Sequence, residues 1–317
     1  MYILLIAVLL VTYANGANDN FKGVATLWGS GTLTYKQALV LATITTFAGS
    51  VCSYFFAATL VKNFSGKGLI PDTVIGSIKF VLAVALAAGL TVLLATKLGF
   101  PISTTHSLVG ALLGAGLVAA GNAVNFDKLG KTFFLPLIIS PIIAVVISVL
   151  LFFITKFLSS NTSRVLTVAH CVTAGIVSFA RGLNDTPKLM SLLILCKLFT
   201  LPINFLIVAI VMAFGGIINA KKVANTMSNK ITSLNHVEGF TANLVTGVLV
   251  ISASVFGLPV STTHVSVGSI YGIGLVNGSA NHKEIGKIGL SWLLTLPVAA
   301  LLSAIIYFII QIGRAHV

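Results

Sequence analysis

Gly99 to Leu117 reads GFPISTTHSLVGALLGAGL, and Gly257 to Leu275 reads GLPVSTTHVSVGSIYGIGL. Eleven of the nineteen aligned positions are identical. In each copy a proline is followed by Ser-Thr-Thr-His and then by a glycine-spaced apolar run. Pro101 and Pro259 lack an N–H and disfavour helix at the residue before them, so a helix has to stop there. Ser103 and Ser261 are good N-caps for the helix that restarts. Each copy therefore predicts a helix broken inside an apolar region, with backbone N–H groups and hydroxyls gathered at the restart. That arrangement suits an anion. An ordinary capped helix at a membrane surface would explain one copy, but it does not explain two matched ones.

The surroundings of the two copies are those of a membrane protein. Of the 317 residues 57% are hydrophobic and only 8% are charged, and the mean hydropathy is +1.07. A soluble chain of this composition would expose far too much apolar surface. The ten-residue alternating strands of an outer-membrane barrel are absent. The formal charge is +13, but the basic residues are scattered over loops rather than striped along one face, so nucleic-acid binding is not expected. Cys52, Cys171 and Cys196 lie in apolar runs without metal spacing and read as packing residues. Met1 to Tyr13 is apolar without a basic leader and reads as a first membrane helix rather than a cleaved signal.

Apolar segments fall at 1–15, 36–61, 73–98, 103–120 and 132–158, then at 165–180, 190–218, 240–257, 262–277 and 287–312. The expectation is an all-α polytopic membrane protein of about ten to twelve helical segments in two repeats, 1–158 and 164–312. Gly313 to Val317 breaks the pattern and reads as a cloning remnant. The first repeat carries Asn15-Gly16-Ala17-Asn18-Asp19-Asn20-Phe21-Lys22, and the second carries Arg181-Gly182-Leu183-Asn184-Asp185-Thr186-Pro187-Lys188, with Gly, Asn, Asp and Lys at the same relative positions. Both repeats end on a run with a proline in its middle, Pro141 and Pro297. An odd number of crossings per repeat would turn the second copy upside down, the plan of many secondary transporters with broken or re-entrant helices. Asn219 to Glu238, with Lys221, Lys222 and Lys230, reads as a cytoplasmic connection that includes an interfacial helix, and the N-terminus then lies outside.

The chain has six acidic residues, and Asp19 and Asp185 are the two that follow an asparagine in matched positions. They read either as helix caps or as cation ligands, since an uncompensated carboxylate in the membrane needs a cation such as Na⁺ or a proton. Cation and anion would stabilise each other, a physical basis for cotransport. His106 and His264 share a helical face with Ser103 and Ser261 and are read as interior histidines, with site contact or proton gating as the alternative. The spacings Gly110/Gly114 and Gly268/Gly272 read as close helix packing. Ser, His and Asp together would also allow an intramembrane hydrolase, but every element occurs twice, which a catalytic triad does not need. A passive anion channel is a further alternative, and the paired aspartates speak against it.

The twin PxSTTH segments, the GANDN stretch, ARGLNDTPK and the Asn229 to Leu244 region resemble the inorganic phosphate transporter (PiT, Pho4-like) family, from about Asn15 to Pro297. The resemblance implies a secondary transporter of phosphate in the cell (inner) membrane, a symporter driven by Na⁺ in some members and by H⁺ in others, with no enzyme activity and no cofactor. By the motif match, Asn18, Asp19, Asn184 and Asp185 would hold sodium. Ser103, Thr104, Thr105, Ser261, Thr262 and Thr263 would hold phosphate. Two positions depart from the pattern: Thr46 and Asn243 stand where many members have glutamates associated with coupling. The large central loop of animal members is missing, which fits a compact prokaryotic form. Related short permeases include sulfate carriers, so sulfate is the second anion. The implied partners are phosphate, sodium and lipid, and a homo-oligomer is compatible with all of this.

Overall fold

The computed structural model describes residues 1–56, 58–157 and 164–312. The expected tail at 313–317 and the expected repeat boundary at 158 lie outside the described residues. Among the described residues there are ten long helices: α1 (Tyr2–Asp19), α2 (Tyr35–Cys52), α3 (Ile78–Leu98), α4 (Thr104–Ala120), α5 (Leu135–Thr155), α6 (Arg164–Leu193), α7 (Leu201–Asn219), α8 (His236–Val255), α9 (Thr262–Asn277) and α10 (His282–Ile312). No strand forms among the described residues. Nine helical stretches among them are long and apolar enough to cross a membrane. The outer faces are apolar, with Ile138 and Ile154 of α5 and Leu293 and Leu301 of α10 exposed, which is where lipid belongs. This is an all-α, multi-pass membrane protein.

The two expected breaks are present. α3 ends where Gly99 takes a left-handed φ of 81° and the N–H of Phe100 returns to the carbonyl of Ala95 at 2.9 Å. Only glycine adopts such a conformation without strain, and it terminates the helix by satisfying its last carbonyls. Gly257 repeats this with φ 67°, and Leu258 donates to Ala253 at 2.8 Å. After each proline the serine caps the new helix, Ser103 Oγ accepting from the N–H of His106 and Ser261 Oγ from that of His264, both at 3.2 Å.

One expected break is absent. The division between 180 and 190 does not occur, because α6 runs unbroken for 30 residues through Arg181 to Lys188 with Pro187 inside it. A membrane helix tolerates such a proline when neighbouring groups satisfy what it frees. In the first repeat the matching stretch closes α1 at Asp19 and turns into the short helix Ala25–Gly29. Neither aspartate therefore sits at the start of a helix, and the capping reading fails for both. The long segment expected at 36–61 stops at Cys52 and is followed by a separate short helix, Ala58–Phe64. The basic connection after α7 contains the short helix Lys221–Asn229.

The same packing scheme occurs twice. α1 lies on α3 as α6 lies on α8, α4 on α10 as α9 on α5, and α1 on α7 as α6 on α2. Each repeat thus lends helices to the other, giving one bundle of α1, α3, α4, α7 and α10 and a second of α2, α5, α6, α8 and α9. Glycines set the distances. A Cβ on Gly110 or Gly114 would lie 2.3 or 1.9 Å from the carbonyl oxygens of Leu296 and Ala300 in α10. On Gly268 it would lie 2.6 Å from the carbonyl of Pro141, and on Gly272 it would lie 2.2 Å from Ser148 Oγ. Both GxxxG pairs are helix-packing devices.

Gly114→Ala should therefore cost about 1–3 kcal/mol through overpacking. Gly286→Ala, an exposed position in α10 with nothing near its Cβ, should be neutral or gain about 0.5–1 kcal/mol. Thermal melts of the two detergent-solubilised variants check this pair.

Candidate functional site

Four segments meet in the interior: the end of α1, the middle of α6 and the two Pro-x-Ser-Thr-Thr tips. All ten residues expected to form the site are buried there. Each asparagine clamps the tip of its own repeat. Asn18 donates to Thr96 Oγ1 at 2.9 Å and to the carbonyl of Phe100 at 3.0 Å, and its oxygen accepts from the N–H of Ile102 at 3.2 Å. Asn184 donates to the carbonyl of Val260 at 3.2 Å and to Thr262 Oγ1 at 3.1 Å. Thr104 Oγ1 donates to Asp19 Oδ2 at 3.2 Å. Asn15 bridges the two carboxylates, its Nδ2 lying 3.1 Å from Asp19 Oδ2 and 3.2 Å from Asp185 Oδ2. The hydroxyls of Ser103 and Ser261 face back onto their own helices, and neither bonds a histidine ring, so no Ser-His-Asp relay forms among the described residues.

Three cationic side chains complete the site: Lys22, Arg181 and Lys188. All are buried to about 1% exposure or less. Lys22 Nζ donates to Asp19 Oδ1 at 2.5 Å, Asn18 Oδ1 at 2.8 Å and the carbonyl of Ile102 at 2.7 Å, and it crosses to Thr263 Oγ1 of the second tip at 2.5 Å. Lys188 Nζ donates to Asp185 Oδ1 at 3.0 Å and to the carbonyl of Val260 at 3.1 Å, and it crosses to Thr105 Oγ1 of the first tip at 2.8 Å. Arg181 reaches Asn15 Oδ1 at 2.8 Å and Asn20 Oδ1 at 3.2 Å, with its Nε 3.5 Å from Asp185 Oδ2. The signal for the lysines was visible in sequence, because each stands three residues after its aspartate and so shares its helical face. Nothing local marked Arg181 or Asn15. Neither carboxylate is uncompensated, so the electrostatic premise behind a resident cation is met by the protein's own ammoniums. Three positive groups face two negative ones, which leaves one buried positive charge in excess. Buried charge needs a counter-charge, and this one favours an anion.

Comparison with known proteins shows the family. Residues 15–303 match the model of the Phosphate transporter family. The chain belongs to the phosphate transporter family. It is 32% identical to a probable low-affinity inorganic phosphate transporter of Bacillus subtilis (strain 168), covering 98% of this chain and 96% of that one. It is 30% identical to a probable low-affinity inorganic phosphate transporter of Rhizobium meliloti (strain 1021), covering 96% and 95%. Among solved structures, one described as the sodium-dependent phosphate transporter superposes with a TM-score of 0.86 at 26% identity, over 98% of this chain and all of that one.

In this member of the family the positions that depart from the pattern take distinct places. Thr46 lies at the edge of the site, 3.5 Å from Arg181 Nη1, and donates to the carbonyl of Ser178 at 3.1 Å. Asn243 lies in a separate polar cluster, donating at 2.9 Å to Thr26 Oγ1, which is also 2.9 Å from His170 Nε2. The rings of His106 and His264 pack against each other, centroids 4.6 Å apart, and His264 stacks on Trp292 at 3.9 Å. Among the described residues no hydrogen bond joins either ring to a candidate site hydroxyl or carboxylate, and His264 Nδ1 lies 3.1 Å from the carbonyl of Leu137, which fits the interior-packing reading. A cavity of about 750 Å³ lined by Lys97, Lys221 and Lys222 reaches Thr96, the residue to which Asn18 is bonded. It is a basic vestibule at the edge of the site.

Asn15→Leu should destabilise this phosphate transporter family member, because both carboxylates lose a donor and Arg181 loses its 2.8 Å acceptor. Hydrogen bonds to charged groups are worth about 1.5–3 kcal/mol each. A fall in melting temperature well beyond that of Asn229→Leu, on the surface of the connection, checks it.

Proposed function

We propose that the protein is a secondary active transporter that carries inorganic phosphate across the cell membrane, bound between the two Ser-Thr-Thr tips. The carrying observation is the excess positive charge of Lys22, Arg181 and Lys188 over Asp19 and Asp185 at the meeting point of two helix N-termini. The starts of α4 and α9 add backbone N–H groups and threonine hydroxyls, which suit a tetrahedral oxyanion. Ser103 and Ser261 shape the tips through their caps, while Thr104, Thr105, Thr262 and Thr263 offer the oxygens and donors that contact phosphate.

The carboxylates favour phosphate over sulfate. Hydrogenphosphate carries an O–H that needs an acceptor, whereas sulfate at neutral pH carries none and would meet Asp19 and Asp185 only as like charges. A buried site built to accept a donor penalises the analogue that lacks it. The doubled packing and five long helices per repeat support inverted repeats, with the site between two bundles that rock to expose it alternately. The basic vestibule would collect anions at one entrance.

Symport with a cation would use Asn18, Asp19, Asn184 and Asp185 as its cation side. Sodium is the coupling ion supported by the sodium-dependent neighbour, and protons are the second candidate. In this chain a sodium ion at those residues would compete with the two ammoniums for the same oxygens.

Uptake of labelled phosphate into proteoliposomes tests the reading. Saturable uptake that excess sulfate barely inhibits is expected, and its absence overturns phosphate as the cargo. Asp19→Asn and Asp185→Asn should each reduce uptake severely in a folded protein. Joint replacement of Thr104 and Thr262 by Val should weaken apparent phosphate affinity by more than about tenfold, since each lost bond to a charged ligand is worth about 1.5–3 kcal/mol.

A further inference from the structure

We propose that Lys22 and Lys188 are tethered cations that fill the two cation cages of the site, so that phosphate binding by this chain does not require Na⁺. The inference rests on the phosphate reading above and concerns how that site is neutralised.

The cages are made of hard oxygen donors. Around Lys22 Nζ stand a carboxylate oxygen of Asp19, the amide oxygen of Asn18, the carbonyl of Ile102 and the hydroxyl of Thr263, all within 2.8 Å. Around Lys188 Nζ stand a carboxylate oxygen of Asp185, the carbonyl of Val260 and the hydroxyl of Thr105, within 3.1 Å. Carboxylate, carbonyl and hydroxyl oxygens of this kind are what a hard metal cation selects. An ammonium has three N–H donors, and both lysines spend all of them here. Each cage therefore already holds one positive charge. A sodium ion added to either would share its oxygens with an ammonium at contact distance, and like charges at such range in a buried site repel strongly.

The arrangement is built in rather than incidental, because it occurs in both repeats with three matching partners. In each, the lysine binds the aspartate three residues before it, the carbonyl of the residue that follows a tip proline, and the second threonine of the opposite tip. These last bonds cross between the two helix bundles. The tethered charge thus does two things that a dissolved cation would otherwise do: it neutralises the carboxylate beside the anion, and it draws the two tips together.

The test is equilibrium binding of labelled inorganic phosphate to the purified full-length protein, in sodium chloride and in choline chloride at equal ionic strength. The expected result is an affinity that agrees in the two salts within about twofold, where site-to-site coupling commonly gives about 5–150-fold. With Lys22→Gln and Lys188→Gln combined, binding in choline should weaken by about tenfold or more, a loss of at least about 1.4 kcal/mol, and sodium should restore part of it. Sodium should also raise the melting temperature of that variant and leave the wild type unmoved. Wild-type affinity at least about tenfold tighter in sodium, or a double variant as tight as wild type in choline, would overturn the inference while phosphate remained the ligand. The wild-type comparison decides even if the variant does not fold. No phosphate binding in either salt would instead overturn the phosphate reading, and the inference with it.

Discussion

Five charged side chains share a buried interior, and the rest of the structure is arranged around the cost of placing them there. A buried ion without a partner costs several kcal/mol, so each charge of the cluster is met by a fixed group of opposite charge. The tips supply carbonyls of Ile102 and Val260 because prolines and left-handed glycines have stopped the preceding helices and left those oxygens outside any helical ladder. Asn18 and Asn184 then hold the tips at the depth of the carboxylates.

Such a cluster needs helices that approach one another more closely than ordinary side chains allow. Gly16 and Gly182, three residues before the two aspartates, press α1 onto α7 and α6 onto α2, where an added Cβ would lie 2.0 and 2.3 Å from the carbonyls of Met212 and Thr46. Gly110, Gly114, Gly268 and Gly272 do the same behind the tips. The exchange of helices between repeats follows: each tip leans on the closing helix of the other half, so each bundle contains helices of both repeats.

Perfect two-fold symmetry would give two lysines against two aspartates and a neutral site. Arg181 breaks it, since the matching position of the first repeat is Asn15, and the two residues bond each other across the centre. That one difference at a matched position supplies the excess positive charge. Asn15 in turn donates to both carboxylates, which lets them approach each other without a further cation.

By itself the sequence determined the membrane class, the duplication, the two helix breaks and the packing role of the spaced glycines, because each is a local property of composition, proline, glycine or serine, but it did not mark Asn15 or Arg181 among the residues that converge. It could not show whether a polar stretch ends a helix or runs through it, and the same motif does the first at Asp19 and the second at Asp185. Nor could it show that Lys22 crosses to Thr263 and Lys188 to Thr105, pairs separated by 241 and 83 positions. Those contacts exist only once two bundles have closed on each other. That closure decides what each buried charge faces, and so whether a carboxylate needs a cation from solution or already has one.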